Sequence, residues 1–124
     1  MKRGDDIQDR LIKFAGRIVK LCNALPDNKA GKHFSNQMLR SGTSPAPNYG
    51  EARGAESKKD FIHKLKIAVK ELNETEVWLK IIVESELIKP EKINDLMDEC
   101  IQLARILSAS ITTTRKNMDA AKHS

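Results

Sequence analysis

Apolar residues repeat with the period of an α-helix in four stretches of the chain. In the first and third, at about residues 5–25 and 58–87, they recur at steps of three and four, which places them on one helix face. The fourth, at about residues 90–115, shows the same pattern, and the second, at about residues 29–54, carries three large apolar residues before its prolines. The apolar positions are Ile7, Leu11, Phe14, Ile18, Leu21, Cys22 and Leu25; Phe34, Met38 and Leu39; Phe61, Leu65, Ala68, Leu72, Leu79, Ile82 and Val83; and Ile93, Met97, Cys100, Ala104, Leu107 and Ile111. The pattern predicts four amphipathic helices.

Two prolines interrupt the second predicted helix. Pro45 and Pro47 lack the backbone N–H of the helical hydrogen bond, and each disfavours helical geometry in the residue before it. Either the helix ends near Ser41 and restarts with Thr43 or Ser44 as its N-cap, or one long helix continues with a kink. We therefore expect this helix to be kinked or broken near residues 44–47.

The connections between the four helices are short. No stretch alternates apolar and polar residues as a β-strand does, and no long linker separates two domains. Charged residues make up 31% of the 124 residues and aromatic residues only 4%, in a composition rich in helix formers. We expect an all-α fold, an antiparallel up-down four-helix bundle, as a single domain over residues 1–124.

Several features predict a cytoplasmic protein without a membrane partner. The apolar runs are only a few residues long, whereas a membrane-spanning helix needs about 20. The opening residues MKRGDDIQDR lack the apolar core of a secretory signal. Cys22 and Cys100 fall on apolar helix faces, where a reduced thiol packs as a small apolar group; a disulfide or a metal ligand is the alternative.

Some apolar residues lie beside the core face of their helix. A bundle helix needs one buried stripe, and residues on its flanks are either part of a wide core face or available to bury against another copy of the chain. A flanking tryptophan favours the second interpretation, because tryptophan is enriched at interfaces. The predicted oligomer interface consists of Ile12, Val19, Ile67, Trp78 and Ile81, and the fourth helix adds Leu103 and Ile106 beside its core line.

Basic residues form two rows at helical spacing. The chain has 22 Lys and Arg against 17 Asp and Glu, a net charge of +5 that permits nucleic-acid binding without requiring it. The first row is Arg10, Lys13, Arg17 and Lys20; the second is Lys59, His63, Lys66 and Lys70. They are candidates for contact with phosphates, the alternative being charged faces that keep the protein in solution. Because no aromatic residues are interleaved with the basic ones, we expect contacts to the nucleic-acid backbone or recognition of the nucleic acid by its shape.

The sequence contains no catalytic, cofactor or metal motif that we can identify. P-loop, GxGxxG, HExxH, CxxC and GxSxG patterns are all missing. Glu71, Glu74 and Glu76 follow one another on the third helix, but a di-metal bundle also needs a Glu-x-x-His pair on two helices. We expect a protein that is not an enzyme and has no cofactor.

One long stretch resembles a known family. Residues 39–80, LRSGTSPAPNYGEARGAESKKDFIHKLKIAVKELNETEVWLK, resemble the 23S rRNA intervening-sequence (S23-like) family of four-helix-bundle proteins. The matching positions are Leu39, Arg40, Ser41, Ser44, Asn48, Glu51, Ala52, Ser57, Asp60, Phe61, Leu65, Ala68, Glu71, Glu74, Trp78 and Leu79. Pro45 and Pro47 depart from the family, which usually has an aliphatic and a small residue in these places and a continuous second helix.

The resemblance implies more than the fold. It implies a polar network that holds the second helix against the third, with Arg40 reaching Glu71 or Glu74; contact with a ligand is the alternative role. The network residues are Arg40, Ser41, Ser44, Asn48, Glu51, Asp60, Glu71 and Glu74. It also implies a ring of identical chains, often a pentamer. Relatives include basic accessory proteins of diversity-generating retroelements that bind nucleic acid.

Two functional hypotheses follow. In the first, the homo-oligomer binds nucleic acid, in particular structured RNA such as rRNA, through the two basic rows. In the second, the protein is an interaction scaffold whose basic surface meets an acidic protein partner. An unrecognised enzyme is a third possibility.

Overall fold

The computed structural model describes residues 3–123. Within that range, every regular element is helical. The elements are α1 (Arg3–Ala24), α2 (Lys29–Thr43), α3 (Pro45–Arg53), α4 (Lys58–Glu84), a 3₁₀ turn (Pro90–Lys92) and α5 (Asn94–Lys122). The prediction of an all-helical chain is confirmed.

The predicted kink lies between α2 and α3, which are the two halves of one bent helix. Ser44, between them, keeps helical angles (φ −69°, ψ −29°), and its N–H donates to the carbonyl of Arg40 at 3.1 Å. The N–H of Asn48 in turn donates to the carbonyl of Ser44 at 3.2 Å. Pro47 cannot donate to the carbonyl of Thr43 one turn earlier, and the joined helix bends by 17°. Four helices result, as predicted, with the second kinked rather than interrupted.

Contacts between α1 and the bent helix α2–α3 run in opposite sequence order. The side chain of Gln8 in α1 reaches the carbonyl of Ala46, whereas Cys22, near the other end of α1, contacts Ser35. Between α4 and α5, the thiol of Cys100 reaches the carbonyl of Leu72. Helix α1 packs on α2, α3 and α5, and α4 packs on the same three helices. α1 and α4 therefore lie across the bundle diagonal, and their outer faces point in opposite directions.

The core lies between the apolar stripes of all the helices. Its largest fully buried side chains include Phe14, Ile18 and Met38. Gly42 lets α1 and α2 approach closely here, because a Cβ on Gly42 would lie 2.7 Å from a methyl carbon of Ile18. The glycine in the middle of a helix is thus explained by packing.

The last helix is longer than its predicted range of 90–115. Pro90 opens a 3₁₀ turn, and α5 starts at Asn94 and continues to Lys122. Met118 packs partly buried against the core, which gives the final turns an apolar contact that the sequence pattern did not reveal. Among the described residues, no helix has both the length and the apolar character needed to cross a membrane.

Candidate nucleic-acid interface

The basic row of the third predicted helix lies on the outer face of α4. Ser57 begins this helix by accepting a hydrogen bond from the N–H of Asp60 at 3.1 Å. The four row residues, Lys59, His63, Lys66 and Lys70, are all exposed. None of them forms an ion pair with a carboxylate in the described part of the chain. From Lys59 to Lys70 the row extends about 16 Å along the helix axis.

The row on α1 divides into two parts. Lys13, Arg17 and Lys20 are exposed and form no ion pair among the described residues. Arg10 instead donates to both carboxylate oxygens of Glu99 in α5, at 2.6 and 3.1 Å. These hydrogen bonds raise the pKa of Arg10 above its ordinary value. Arg10 thus joins α1 to α5, a role that the sequence analysis missed because its partner is 89 residues away.

The two rows do not form one surface within a single chain. They lie on α1 and α4, which are diagonal to each other in the bundle, and the row on α1 borders α5 through Arg10. The structure therefore offers two separate groups of basic residues.

The edge of α4 that faces α2 carries paired charges. Arg40 donates to Glu71 at 2.6 Å and also to Glu74, and Glu74 accepts a hydrogen bond from the indole N–H of Trp78 at 3.3 Å. His33 and Phe34 of α2 pack edge-on or tilted against the Trp78 ring, with centroids 5.7 and 5.8 Å away. This cluster ties α2 to α4 on the bundle surface.

Directly beneath that cluster, two hydroxyl groups pair in the core. Ser41 and Thr75 are fully buried, and their hydroxyl oxygens lie 2.7 Å apart. The hydroxyl of Thr75 donates to the carbonyl of Glu71 at 2.9 Å, so Ser41 is the donor between the two hydroxyls. The pair links α2 and α4 without an unpaired hydroxyl.

The remaining family-motif residues contribute in different ways. Glu51 of α3 pairs with Lys64 of α4 at 2.8 Å, so it too joins the bent helix α2–α3 to α4. The Asn48 side chain donates to the carbonyl of Ser44 within the same bent helix, and the buried Ser44 hydroxyl has no hydrogen-bond partner among the described residues. Asp60 is exposed and contributes its backbone N–H to the start of α4.

The predicted interface residues differ in exposure. Ile12 is 55% exposed, Val19 38% and Ile81 37%. Ile67 and Trp78 are half-buried, and Trp78 is partly covered by α2 within the same chain.

One apolar residue was assigned to the wrong environment, and two others are exposed. Leu103 is fully buried, so its assignment to an exposed flank is wrong. Leu39, named only as an apolar residue of the second predicted helix, is 43% exposed, and Val77, which the pattern did not single out, is 55% exposed.

The two cysteines are free and buried. The thiol of Cys22 donates to the carbonyl of Ser35, and that of Cys100 to the carbonyl of Leu72 at 3.2 Å. Burial raises the pKa of Cys22, and it raises the pKa of Cys100 to about 12. Both groups are therefore neutral thiols near pH 7. In the described part of the chain, no three His, Cys, Asp or Glu side chains come together as a metal site would require.

Comparison with known proteins agrees with this architecture. Residues 5–109 match the family model described as 23S rRNA-intervening sequence protein. The chain is also similar to a solved structure, a protein of unknown function from the S23 ribosomal protein family of Bacteroides thetaiotaomicron VPI-5482. The two share 37% sequence identity over 90% of this chain and 99% of the other, with a TM-score of 0.83. No curated protein matches. The family match spans most of the chain, and the chain belongs to the 23S rRNA-intervening sequence protein family.

Proposed function

We propose that this chain is a non-enzymatic, cytoplasmic homo-oligomer that binds structured RNA through the outer face of α4. The observation that carries the proposal is the row Lys59, His63, Lys66 and Lys70, which is exposed, unpaired among the described residues and covered by no other helix. The family description, which refers to intervening sequences of 23S rRNA, makes ribosomal RNA the first ligand to test.

The geometry of this row suits a phosphate backbone. Its three lysines, one or two helical turns apart over about 16 Å, can meet phosphates along one edge of an RNA helix. No Phe, Tyr or Trp side chain lies in the row to stack on an unpaired base. We therefore propose recognition of the RNA backbone and its shape, with little sequence preference.

The oligomer is supported by the exposed apolar residues. Ile12 and Val19 lie on α1, and Leu39 lies on the adjacent α2. An interface between copies would bury such residues, and closed symmetry would then repeat the basic face of α4 around the assembly. A pentameric ring is the arrangement that we propose. Native mass spectrometry, with and without RNA, would measure the subunit number, and a monomer at micromolar concentration would refute the oligomer.

Charge reversal on α4 tests the RNA interface. We expect the double substitution Lys66→Glu and Lys70→Glu to weaken binding of an rRNA hairpin by more than about tenfold and to reduce the salt slope of the affinity by about two. The control is Lys116→Glu with Lys122→Glu, which makes the same charge change at two exposed positions of α5. Equal affinities of the two double variants would refute this interface.

An acidic protein partner is a second candidate, favoured by one observation. On the same outer face of α4, the basic row is followed by exposed Val77 and Ile81. A surface that combines apolar residues with cations is typical of protein interfaces. Pull-down of a protein partner that persists after nuclease treatment, and is lost with Val77→Asp, would support this function over RNA binding.

A further inference from the structure

A second group of cations surrounds an open cleft between α1 and the start of α5. The cleft has a volume of about 280 Å³. Arg17, Lys20 and Leu21 line it from α1, and Lys92 and Leu96 line it from the 3₁₀ turn and α5. All three cations are exposed, while Leu96 is buried and Leu21 is half-buried. The cleft thus has an apolar floor and a cationic rim.

The cleft differs from the neighbouring contact between the same two helices. Farther along this contact, α5 presents the carboxylate of Glu99 to Arg10. At the cleft, the side chain that lies across from the cations of α1 is instead another cation, Lys92 of the 3₁₀ turn. Like charges gathered around one cleft repel each other, which destabilises the folded chain unless an anion lies among them.

Nearby carboxylates do not neutralise this group. Glu91 in the 3₁₀ turn and Asp95 in the first turn of α5 are both exposed. Neither forms an ion pair with Arg17, Lys20 or Lys92 in the described structure. The cationic rim therefore remains available to a ligand from solution.

We infer that this cleft binds a phosphate group of a polynucleotide. A guanidinium can hold a phosphate through two parallel hydrogen bonds, and two ammonium groups add charge from the other sides. The apolar floor excludes part of the solvent and strengthens these interactions. The compact cleft suits a single phosphate group, whereas the extended row on α4 suits several phosphates along a backbone.

This inference rests on the proposed function for the class of ligand alone, a polynucleotide. The cleft lies on the α1–α5 side of the bundle, away from the outer face of α4. Its phosphate could be a terminal phosphate of an RNA strand or a phosphodiester within it. Separate variants and probes can distinguish these sources, and they can also distinguish failure of the cleft from failure of the α4 interface.

The first experiment uses inorganic pyrophosphate, followed by amide chemical shifts in the intact protein. We expect shifts at Arg17 and Lys92, and binding about tenfold weaker in the Arg17→Gln and Lys92→Gln variants. Lys116→Gln, which removes one exposed charge at the far end of α5, is the matched control, and Lys66→Glu with Lys70→Glu leaves pyrophosphate binding unchanged. If the wild type shows no such shifts, or the cleft variants bind as the control does, the inference is wrong.

The second experiment compares RNA strands that carry a 5′-phosphate or a 5′-hydroxyl. A preference for the 5′-phosphate that Arg17→Gln abolishes assigns the cleft to a terminal phosphate. Equal affinity for both strands, with the same loss in Arg17→Gln, assigns it to a phosphodiester. The inference is overturned if an acidic peptide changes the amide chemical shifts of Arg17 and Lys92 and neither pyrophosphate nor either RNA strand does. The cleft would then be a site for a protein.

Discussion

Charged side chains lie both on the edge of α4 that faces the bent helix α2–α3 and on its outer face, but only those on the edge are paired with opposite charges. On the edge that faces the second helix, Glu71 and Glu74 pair with Arg40, and Lys64 pairs with Glu51. On the outer face, the row from Lys59 to Lys70 forms no ion pair among the described residues. The difference comes from the neighbour: one side meets a helix with matching charges, and the other meets solvent. Charge type alone does not distinguish a structural residue from a ligand contact.

The two sides also differ in what they contribute to stability. Paired charges and buried hydroxyl groups hold α2 and α4 in one relative position. Like charges on adjacent helical turns repel instead and cost about 0.2–0.5 kcal/mol per pair. The paired edge should therefore respond to mutation through stability, and the outer face through binding.

The largest stability effect is expected at the buried hydroxyl pair. Thr75→Val keeps the side-chain shape but removes the acceptor of the Ser41 hydroxyl, which is fully buried. We expect the free energy of unfolding to fall by about 1–3 kcal/mol, measured by urea denaturation. Adding Ser41→Ala should recover part of the loss, because no hydroxyl then lacks a partner. A double variant whose loss equals the sum of the two single losses would contradict this pairing.

A smaller effect is expected at the paired edge on the surface. Arg40→Met keeps most of the side-chain length but leaves two neighbouring carboxylates, Glu71 and Glu74, without their cation. The pair is partly exposed, so we expect a loss of about 1 kcal/mol, which diminishes as salt is added. Arg105→Met is the control, because Arg105 is exposed and forms no ion pair among the described residues. Equal effects of the two substitutions would show that the Arg40 cluster does not anchor α2.

The smallest expected effect on stability comes from removing single charges on α4, where the sign of the change depends on whether the neighbouring charge repels or attracts. Lys66 has Lys70 at the helical spacing where side chains meet, so Lys66→Gln removes repulsion and should stabilise the fold by about 0.2–0.5 kcal/mol at low salt. Lys80→Gln on the same helix removes the pair with Glu76, which has an N–O distance of 2.7 Å, and should destabilise the fold by a similar amount. Thermal unfolding of both variants measures the two signs. Loss of stability in Lys66→Gln would mean that this lysine has a structural partner.

Structural features that depend on local spacing could be predicted from the sequence. The four helices and the kink at the two prolines follow from periodicity and from the missing proline N–H groups. The contact of Arg40 with Glu71 and Glu74 was suggested by family resemblance, not by spacing, because the partners lie 31 and 34 residues away. Leu103 was misplaced because an apolar residue beside a stripe can face either the core or solvent, and the neighbouring helix decides.

By itself, the sequence determined which segments are helical, where the second helix bends and to which family the chain belongs. These properties depend on interactions within a few residues or on a recognisable motif. Only the tertiary structure decided that Arg10 is neutralised by Glu99, that Lys92 joins Arg17 and Lys20 at one cleft, and that the two basic rows lie on helices diagonal to each other. The physical reason is that a charge acts through whatever lies within a few ångströms of it, and packing brings together residues far apart in the chain.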